Sequence, residues 1–301
     1  MPTEPIIILA SPRSFTSLVC AMLGQHPQAY GVPEINLFIT KNLQQLLDYS
    51  KRHKSFMVHG LLRTVAQLYA GEQTRQSIEM AHRWLHKRIE SSTAEIYQEL
   101  CSYVNPLRIV DKSPAYSKNQ RVLNYIKETF PNASYLYLTR HPRDQGKSVM
   151  KAPQAIATLV AADSIDYDTL PPTIDPQYAW LRRQQKILEF LQTIPPEQQM
   201  RLKGEDLFNE PALYLEKICS WLNFDWSEEI YQLMLKTEVS PYACMGPWGA
   251  QWGNNPGFQE SPAFRYKPIK SSSLQGKLPW RNDDRGFIPE VVELAEELGY
   301  Q

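Results

Sequence analysis

The chain has 301 residues, and its 32 lysines and arginines balance its 32 aspartates and glutamates, so the formal net charge is zero. A chain without excess positive charge lacks the field by which basic proteins attract nucleic acids or anionic membranes, and neither is expected as a partner. Hydrophobic residues make up 43% of the sequence, which is well above the level of disordered chains. The composition therefore predicts a folded globular protein.

The four cysteines are scattered and form no CxxC pair, which argues against a zinc site and a dense disulfide framework. The apolar run at residues 6–10 is too short for a signal-peptide core. No run approaches the roughly 18 apolar residues of a membrane span. We therefore expect a reducing, cytoplasmic environment and no membrane span. A segment cut from a longer polypeptide would have the same features.

The first 150 residues alternate short apolar runs with helical patterns. Residues 6–10 form a continuous aliphatic run, typical of a strand buried on both faces, and a helical pattern through Leu18 and Leu23 follows. Further strands are predicted at residues 107–110 and 135–139. Alternating strands and helices indicate a parallel sheet covered by helices on both faces, whose ligands bind beyond the carboxyl ends of the strands.

Apolar spacing also predicts longer helices. They lie at residues 39–47, 78–103, 178–192, 211–222 and 289–298. Residues 152–176 show little periodicity and contain two adjacent prolines, which predicts a loop or lid. Residues 241–285 are rich in Gly, Pro, Ser and Trp. With no internal repeat, the chain is expected to form one α/β domain over residues 1–301, with a central parallel β-sheet flanked by helices.

Residues 11–18, with the sequence SPRSFTSL, join the first strand to the first helix. Hydroxyls, the Arg13 guanidinium and free backbone N–H groups meet there at the positive end of a helix dipole, which favours an anion. A Ser- or Thr-capped helix with an exposed arginine has the same local pattern. A nucleoside-triphosphate P-loop needs GxxxxGK[ST], and this loop has neither the glycines nor the lysine.

Polar groups follow the other two predicted strands as well. Lys112 lies in an Asp-Lys-Ser-Pro segment after the second strand, where an isolated lysine is more often a solvated surface charge. Arg140 ends the third strand and Ser148 follows eight residues later, a guanidinium and a hydroxyl that both suit phosphate. A structural ion pair and an exposed serine are the alternative interpretation of these two residues.

These segments resemble the sulfotransferases that use 3′-phosphoadenosine-5′-phosphosulfate (PAPS). The resemblance is strongest to tyrosylprotein sulfotransferases and to the sulfotransferase domains of olefin-forming polyketide synthases, and it implies their P-loop-NTPase-like fold. It is carried by residues 6–38, 107–116, 135–150, 203–211 and 265–285. It implies that Arg13 contacts the 5′-phosphosulfate, that Lys112 neutralises charge on the transferred sulfuryl group, and that Arg140 and Ser148 bind the 3′-phosphate. The other implied cofactor contacts are Ser14, Phe15, Thr16, Ser17 and Lys277.

Two positions depart from the family pattern. Phe15 stands where the family usually has glycine, and a bulky side chain is costly there if the backbone needs a positive φ. Gly204 replaces the tyrosine of the family's YEDL segment. The late stretch that covers the cofactor in the family corresponds loosely to Ser271, Ser272, Gly276, Lys277 and Trp280.

Sulfuryl transfer to an alcohol needs a base for the hydroxyl proton. The resemblance to tyrosylprotein sulfotransferases implies that Glu34 has this role, whereas a surface glutamate after a proline is the plain alternative. Many cytosolic members of the family use a histidine. His26 and His141 precede prolines and are expected to shape loops or cap helices. The family needs no catalytic metal, and the sequence has no evident carboxylate cluster for one.

The sequence thus predicts a PAPS-dependent sulfotransferase that releases 3′-phosphoadenosine-5′-phosphate (PAP) and acts on a hydroxyl of a small molecule or of an acyl chain on a carrier protein. A P-loop-type phosphotransferase and a catalytically inactive nucleotide-binding relative are the alternatives. The acceptor pocket is expected among the helices of residues 45–105, the loop of residues 152–176 and the stretch around Trp248 and Trp252.

Overall fold

A parallel β-sheet forms the centre of the computed structural model, which describes residues 3–53, 55–152, 155–270 and 272–301. The described strands are β1 (Ile6–Leu9), β2 (Ala29–Gly31), β3 (Arg108–Asp111), β4 (Ser134–Thr139), β5 (Ile165–Asp166), β6 (Thr173–Ile174) and β7 (Gln199–Lys203). Five of them form the sheet in the order β2-β3-β1-β4-β7, and all neighbours are parallel. The predicted α/β fold with a central parallel sheet is confirmed.

Helices cover both faces of this sheet. They are α1 (Thr16–Gly24), α2 (Leu43–His53), α3 (His59–Ala70), α4 (Arg75–His86), α5 (Thr93–Val104), α6 (Gln120–Thr129), α7 (Pro142–Met150), α8 (Ala155–Val160), α9 (Pro176–Leu191), α10 (Gly204–Asn209), α11 (Pro211–Leu222), α12 (Glu228–Met234), α13 (Pro256–Glu260) and α14 (Pro289–Glu297). Among the helices that the structure describes, none has the length and apolar character to cross a membrane.

The sheet separates two hydrophobic cores. In β1, Ile7 and Leu9 belong to one core and Ile6 and Ile8 to the other, and none of the four is more than 3% exposed. Residues from α2 to α6, α9 and α14 pack in the first core, and residues from α1 and α10 to α12 pack in the second. Because every side chain of β1 is buried in one core or the other, apolar residues are favoured at each position, which explains the continuous aliphatic run at residues 6–10.

The single helix predicted at residues 78–103 is wrong, because the chain forms α4 and α5 with a turn between them. Ser92 ends that turn: its Oγ accepts a hydrogen bond from the Glu95 N–H at 3.1 Å, and Glu95 Oε2 accepts from the Ser92 N–H at 2.8 Å. This reciprocal capping box starts a new helix inside a continuous apolar pattern. Similarly, Asn42 Oδ1 accepts from the Gln45 N–H at 2.9 Å, so α2 begins at Leu43 and not at residue 39.

The segment predicted as a loop or lid at residues 152–176 contains regular structure, so the prediction of a loop is wrong for part of its described residues. It forms α8 and the antiparallel pair of β5 and β6, and Asp175 then caps α9 by accepting from the Gln177 N–H. Residues 153 and 154 lie outside the described part of the chain. The two strands of this segment have only two residues each. That is too short for an alternation of apolar and polar residues to be recognised in the sequence.

A buried ion network fastens this segment to the C-terminal part of the chain. The Arg281 guanidinium donates to Asp175 Oδ2 at 2.6 Å, to Asp166 Oδ2 at 2.7 Å and to Asp283 Oδ2 at 2.6 Å. The side chains of Arg281, Asp166 and Asp175 are at most 4% exposed. Hydrogen bonds to Asp283, Asp175 and Asp166 raise the pKa of Arg281, so the network stays charged. The β5–β6 pair is therefore held to a residue more than a hundred positions away.

Replacing Arg281 by leucine should destabilise the fold strongly. Asp166 and Asp175 would remain buried without their cation, and breaking a buried ion pair costs about 3–5 kcal/mol. Urea denaturation followed by circular dichroism measures the free energy of unfolding. Arg121→Leu is the matched control, because Arg121 is exposed on α6 and has no part in the network, so its loss should cost less than about 1 kcal/mol. Equal losses in the two variants would show that the buried network contributes nothing special.

Candidate active site

The loop between β1 and α1 has an unusual backbone. Arg13 and Phe15 both lie in the left-handed region, with φ of 69° and 63°. Phe15 also occupies the N-cap position of α1, where no side chain caps the helix. Ser11 and Ser14 are at most 1% exposed, and neither hydroxyl has a hydrogen-bond partner within the described chain. The loop thus offers buried hydroxyls at a helix N-terminus, which suits an anion.

Three residues predicted as cofactor contacts meet beside this loop. Arg13 Nε donates to Ser148 Oγ at 3.1 Å, and Arg140 Nη1 donates to the Arg13 carbonyl at 2.6 Å. Arg13 lies in the β1–α1 loop, Arg140 directly follows β4, and Ser148 lies in the last turn of α7. Burial lowers the pKa of both arginines, which are too basic to lose their charge. The buried Arg140 Nε has no partner among the described residues, so part of this guanidinium is available to a ligand.

Phe15 is accommodated by the glycine at position 204. Its ring packs on Phe208 with centroids 4.8 Å apart, and the Arg140 guanidinium lies over it at 4.3 Å. A Cβ atom on Gly204, the first residue of α10, would lie only 2.4 Å from Phe15 Cδ2. The two departures from the family pattern are therefore complementary, since the large residue at 15 uses the space that a side chain at 204 would need.

Lys112 and Glu34 form an ion pair at the end of the neighbouring strands. Lys112 follows β3, and its Nζ lies 2.8 Å from Glu34 Oε1. The lysine side chain is 1% exposed and the glutamate side chain 30% exposed. A lysine that is almost fully buried needs a partner for its charge, and Glu34 provides it. Lys112 is thus not a solvated surface charge.

Buried polar residues hold the Lys112 loop in place. Asp111, which is fully buried, accepts hydrogen bonds from the Ser113 N–H and Oγ and from the Tyr116 hydroxyl, at 2.7 to 2.9 Å. Burial raises the pKa of Asp111 to about 6, against the opposing effect of these hydrogen bonds. Ser113 Oγ also accepts from the Asn36 N–H at 3.1 Å. This last bond connects the Lys112 loop with the segment that carries Glu34.

Glu34 itself is fixed by its backbone. Its N–H donates to the Gly253 carbonyl at 2.6 Å, and its carbonyl accepts from Asn36 Nδ2 at 3.1 Å. A Cβ on Gly60, in the first turn of α3, would lie 2.1 Å from the Glu34 carbonyl oxygen. Only glycine permits this approach, so α3 and the segment at 253 define the position of Glu34.

Lys277 is placed differently from the other predicted cofactor residues. Its side chain is 53% exposed and pairs with Asp284 at 2.5 Å, and no described bond connects its ammonium to Arg13, Arg140 or Ser148. Its carbonyl, however, accepts a hydrogen bond from Arg143 Nη1 at 2.6 Å. Ser272 lines a cleft of about 260 Å³ together with His141 and Tyr300, whereas Ser271 lies outside the described residues.

Arg143 organises this late stretch, and sequence reasoning missed it. Its guanidinium donates to the carbonyls of four residues of the stretch, at 2.6 to 3.0 Å. They are Ser273, Gln275, Gly276 and Lys277. Because its partners are backbone atoms, no pattern of side chains could have pointed to this role. Arg143 holds the stretch against α7, the helix that carries Ser148.

Arg183 on α9 is a second missed residue. Its Nη1 donates to the Pro114 carbonyl at 2.9 Å and to Ser117 Oγ at 3.0 Å, and Ser117 Oγ donates to the Ala10 carbonyl at 3.0 Å. Burial lowers the pKa of Arg183 to about 10. No carboxylate pairs with it in the described structure, so a cation without a counter-ion lies between the Lys112 loop and the β1–α1 loop.

The two histidines considered in the sequence serve as structural groups. His141 is the N-cap of α7, with Nδ1 accepting from the Arg143 N–H at 3.1 Å. His26 Nδ1 accepts from the Gln28 N–H at 3.1 Å, and its ring stacks on Phe224. Within the described chain, no group of three or more His, Cys, Asp or Glu side chains is arranged to hold a metal ion.

Comparison with known protein families identifies the family of this chain. The model of the Sulfotransferase family matches residues 5–228, which include the β1–α1 loop, Glu34, Lys112, Arg140 and Ser148. This chain is a sulfotransferase family member. A search of curated protein sequences gave no match.

Solved structures show the same fold. The Sulfotransferase Domain from the Curacin Biosynthetic Pathway has a TM-score of 0.74 and 21% identity, with 100% of this chain and 99% of that chain covered. The Sulfotransferase Domain from the Synechococcus PCC 7002 Olefin Synthase has a TM-score of 0.72 and 21% identity, covering 100% and 96%. Sulfotransferase STF9 from Mycobacterium avium has a TM-score of 0.53 and 15% identity, covering 100% and 78%.

The fit between Phe15 and Gly204 in this sulfotransferase can be tested by a double-mutant cycle. Gly204→Ala should lower the free energy of unfolding by about 1–3 kcal/mol, because the new methyl group overlaps the Phe15 ring. Phe15→Ala removes that ring, so the alanine at 204 should cost much less in the double variant Phe15→Ala/Gly204→Ala. Urea denaturation of the four proteins measures the coupling. Strictly additive losses would mean that the two positions do not share one space.

Proposed function

We propose that this sulfotransferase transfers the sulfuryl group of PAPS to a hydroxyl of a small molecule or of an acyl chain on a carrier protein, and releases PAP. The observation that carries this proposal is the meeting of Arg13, Arg140 and Ser148 beside Ser11 and Ser14, whose buried hydroxyls lack partners. Unpaired buried polar atoms are costly, and several of them around two arginines are best explained by an anionic ligand.

The residues present fit a nucleotide with two phosphate groups. Arg13 and the β1–α1 loop, with Ser14, Phe15, Thr16 and Ser17, would hold the 5′ end. Arg140 and Ser148 would hold the 3′-phosphate, and Lys277 is the proposed closing residue. Because Arg13 Nε and Ser148 Oγ now satisfy each other at 3.1 Å, binding would exchange this bond for bonds to the ligand.

When bound, PAPS supplies a sulfuryl group whose bond to the bridging phosphate oxygen breaks as a bond to the acceptor oxygen forms. We assign to Glu34 the role of base that accepts the hydroxyl proton. Glu34 Oε1 lies 2.8 Å from Lys112 Nζ, and the glutamate side chain keeps 30% exposure through which an acceptor hydroxyl could approach it. Once Glu34 carries the proton, the charge of Lys112 is no longer compensated and is available to the oxygens that gain negative charge. Arg13 and Arg183 add positive charge at the same edge of the sheet.

The nature of the acceptor is proposed from the solved domains of similar fold. The similar solved domains come from the curacin biosynthetic pathway and from an olefin synthase, which favours an acyl chain on a carrier protein. We also place the activity in the cytoplasm, where the thiols of Cys20, Cys101, Cys219 and Cys244 would stay reduced.

A phosphotransferase is the less favoured alternative, because the loop lacks the lysine that P-loop enzymes place on the phosphates. A relative without catalysis was suggested by Phe15 alone. We favour the active enzyme over that alternative because the Phe15 ring packs on Phe208 in the space that Gly204 leaves free.

Calorimetric titration with PAP and, separately, with ATP and Mg²⁺ tests the nucleotide. We expect PAP to bind with micromolar affinity and ATP with Mg²⁺ to give no signal. Arg13→Ala and Arg140→Ala should each weaken PAP binding by about tenfold or more, since a hydrogen bond to a charged group contributes about 1.5–3 kcal/mol. Arg121→Ala, on the exposed face of α6, is the control. Binding of ATP alone would favour the phosphotransferase, and binding of neither nucleotide would contradict the proposal.

Glu34→Gln tests the base. Glutamine keeps the size of the side chain and an oxygen for Lys112, so PAP should bind as in the parent protein, while kcat should fall by about a hundredfold or more. Turnover of labelled PAPS with candidate acceptors is the measurement, and Glu90→Gln, an exposed position, is the control. Unchanged turnover in Glu34→Gln would show that another residue is the base.

A further inference from the structure

A large apolar pocket lies between α2, α3 and α4, in the part of the chain that carries no family signature. Its volume is about 590 Å³, within the roughly 300–1,000 Å³ of pockets for small organic ligands. The lining residues are Leu47, Ser50, Lys51, Val58, His59, Leu62, His82, Arg83, Leu85, His86 and Gly249. Of the three segments expected to form an acceptor pocket, the helices and the tryptophan-rich stretch contribute, whereas the described residues of the segment 152–176 do not.

The pocket has an apolar floor and a basic rim. Leu62 and Leu85, which are at most 1% exposed, belong to the hydrophobic core under the pocket, and Leu47 packs against that core. Lys51 and Arg83 are exposed at the rim, and no ion pair joins either of them to an acidic side chain in the described structure. Among the described residues that line the pocket there is no aspartate or glutamate. An apolar cavity with cations at its mouth complements an apolar ligand that carries a negative charge.

This pocket is next to the candidate base. Val58 and His59 line it, and Gly60, the following residue, is in tight contact with the Glu34 backbone. On the other side, the Trp252 N–H donates to His59 Nδ1 at 3.3 Å, and Gly253 accepts the Glu34 N–H. The backbone segments at residues 58–60 and 252–253 therefore border the pocket and also hold Glu34 in place.

The tryptophan-rich stretch extends the apolar surface beyond the mouth. Trp248 is 75% exposed and Met245 53% exposed, while Trp252 is 38% exposed. Gly249, between the two tryptophans, lines the pocket itself. Exposed large apolar side chains beside an apolar cavity are typical of a surface that binds a ligand.

We propose, on the basis of the proposed function, that this pocket is the acceptor site and that the acceptor is an aliphatic chain carrying an anionic group. The hydrocarbon would lie on Leu47, Leu62 and Leu85, with the anionic group at Lys51 and Arg83. The reacting hydroxyl would then extend past the first turn of α3 to Glu34.

Calorimetric titration with decanoate, and with decanol as the uncharged probe, tests this site without any turnover. Decanoate should bind the parent protein. The double variant Lys51→Gln/Arg83→Gln should bind decanoate about tenfold or more weakly and decanol almost unchanged, because charge-assisted bonds contribute about 1.5–3 kcal/mol. Leu47→Trp, which fills the pocket from α2, should weaken both probes. The control is Arg121→Gln/Lys217→Gln, which removes the same charge from exposed positions on α6 and α11.

PAP titration of the same variants separates the two proposals. Every variant should bind PAP like the parent protein, so a loss of decanoate binding with PAP binding retained assigns the effect to the acceptor pocket. Failure of decanoate to bind the parent protein, or unchanged decanoate binding in both Lys51→Gln/Arg83→Gln and Leu47→Trp, would overturn this inference. Failure of PAP to bind would instead contradict the proposed function.

Discussion

The burial of the Lys112 ammonium is the constraint on which the site depends. A lysine with 1% exposure at the end of β3 requires a carboxylate at its nitrogen, and Glu34 supplies it from the segment after β2. That requirement fixes where Glu34 must lie, and Glu34 in turn is held through backbone contacts with Gly60 and Gly253. One ion pair thus links two strand ends, the start of α3 and the tryptophan-rich stretch.

The β1–α1 loop shows how strain is tolerated at such a site. Two residues with side chains, Arg13 and Phe15, adopt left-handed backbone conformations that cost about 1 kcal/mol or more each. The surroundings hold them there: Phe208 and Arg140 enclose the Phe15 ring, and Arg140 also binds the Arg13 carbonyl. A strained loop that its neighbours hold in place is already ordered before a ligand binds. Less conformational entropy is then lost on binding.

Sequence could predict the elements whose burial leaves a clear pattern. The runs that became β1, β3 and β4 lie in the middle of the sheet, and the polar residues after them are the ones that meet at its edge. The strands β2 and β7 were missed because they are edge strands, one of three residues and the other with exposed and polar positions. The complementarity of Phe15 and Gly204 could not be seen either, since it depends on the packing of α10 against a loop distant in the chain. The roles of Arg143 and Arg183 stayed hidden because most of their partners are backbone carbonyls.

The Arg281 network has a mechanical consequence. A single guanidinium binds Asp166 in the β5–β6 pair, Asp175 at the start of α9 and Asp283 in the C-terminal part, so moving any one of these segments away breaks its charge-assisted bond to Arg281. Trp280, the adjacent residue, donates to Asp175 and presses its ring on Gly146 of α7. The β5–β6 pair and residues 280–283 are therefore joined to each other and packed on α7, so a displacement of either one should also shift the helix that carries Ser148.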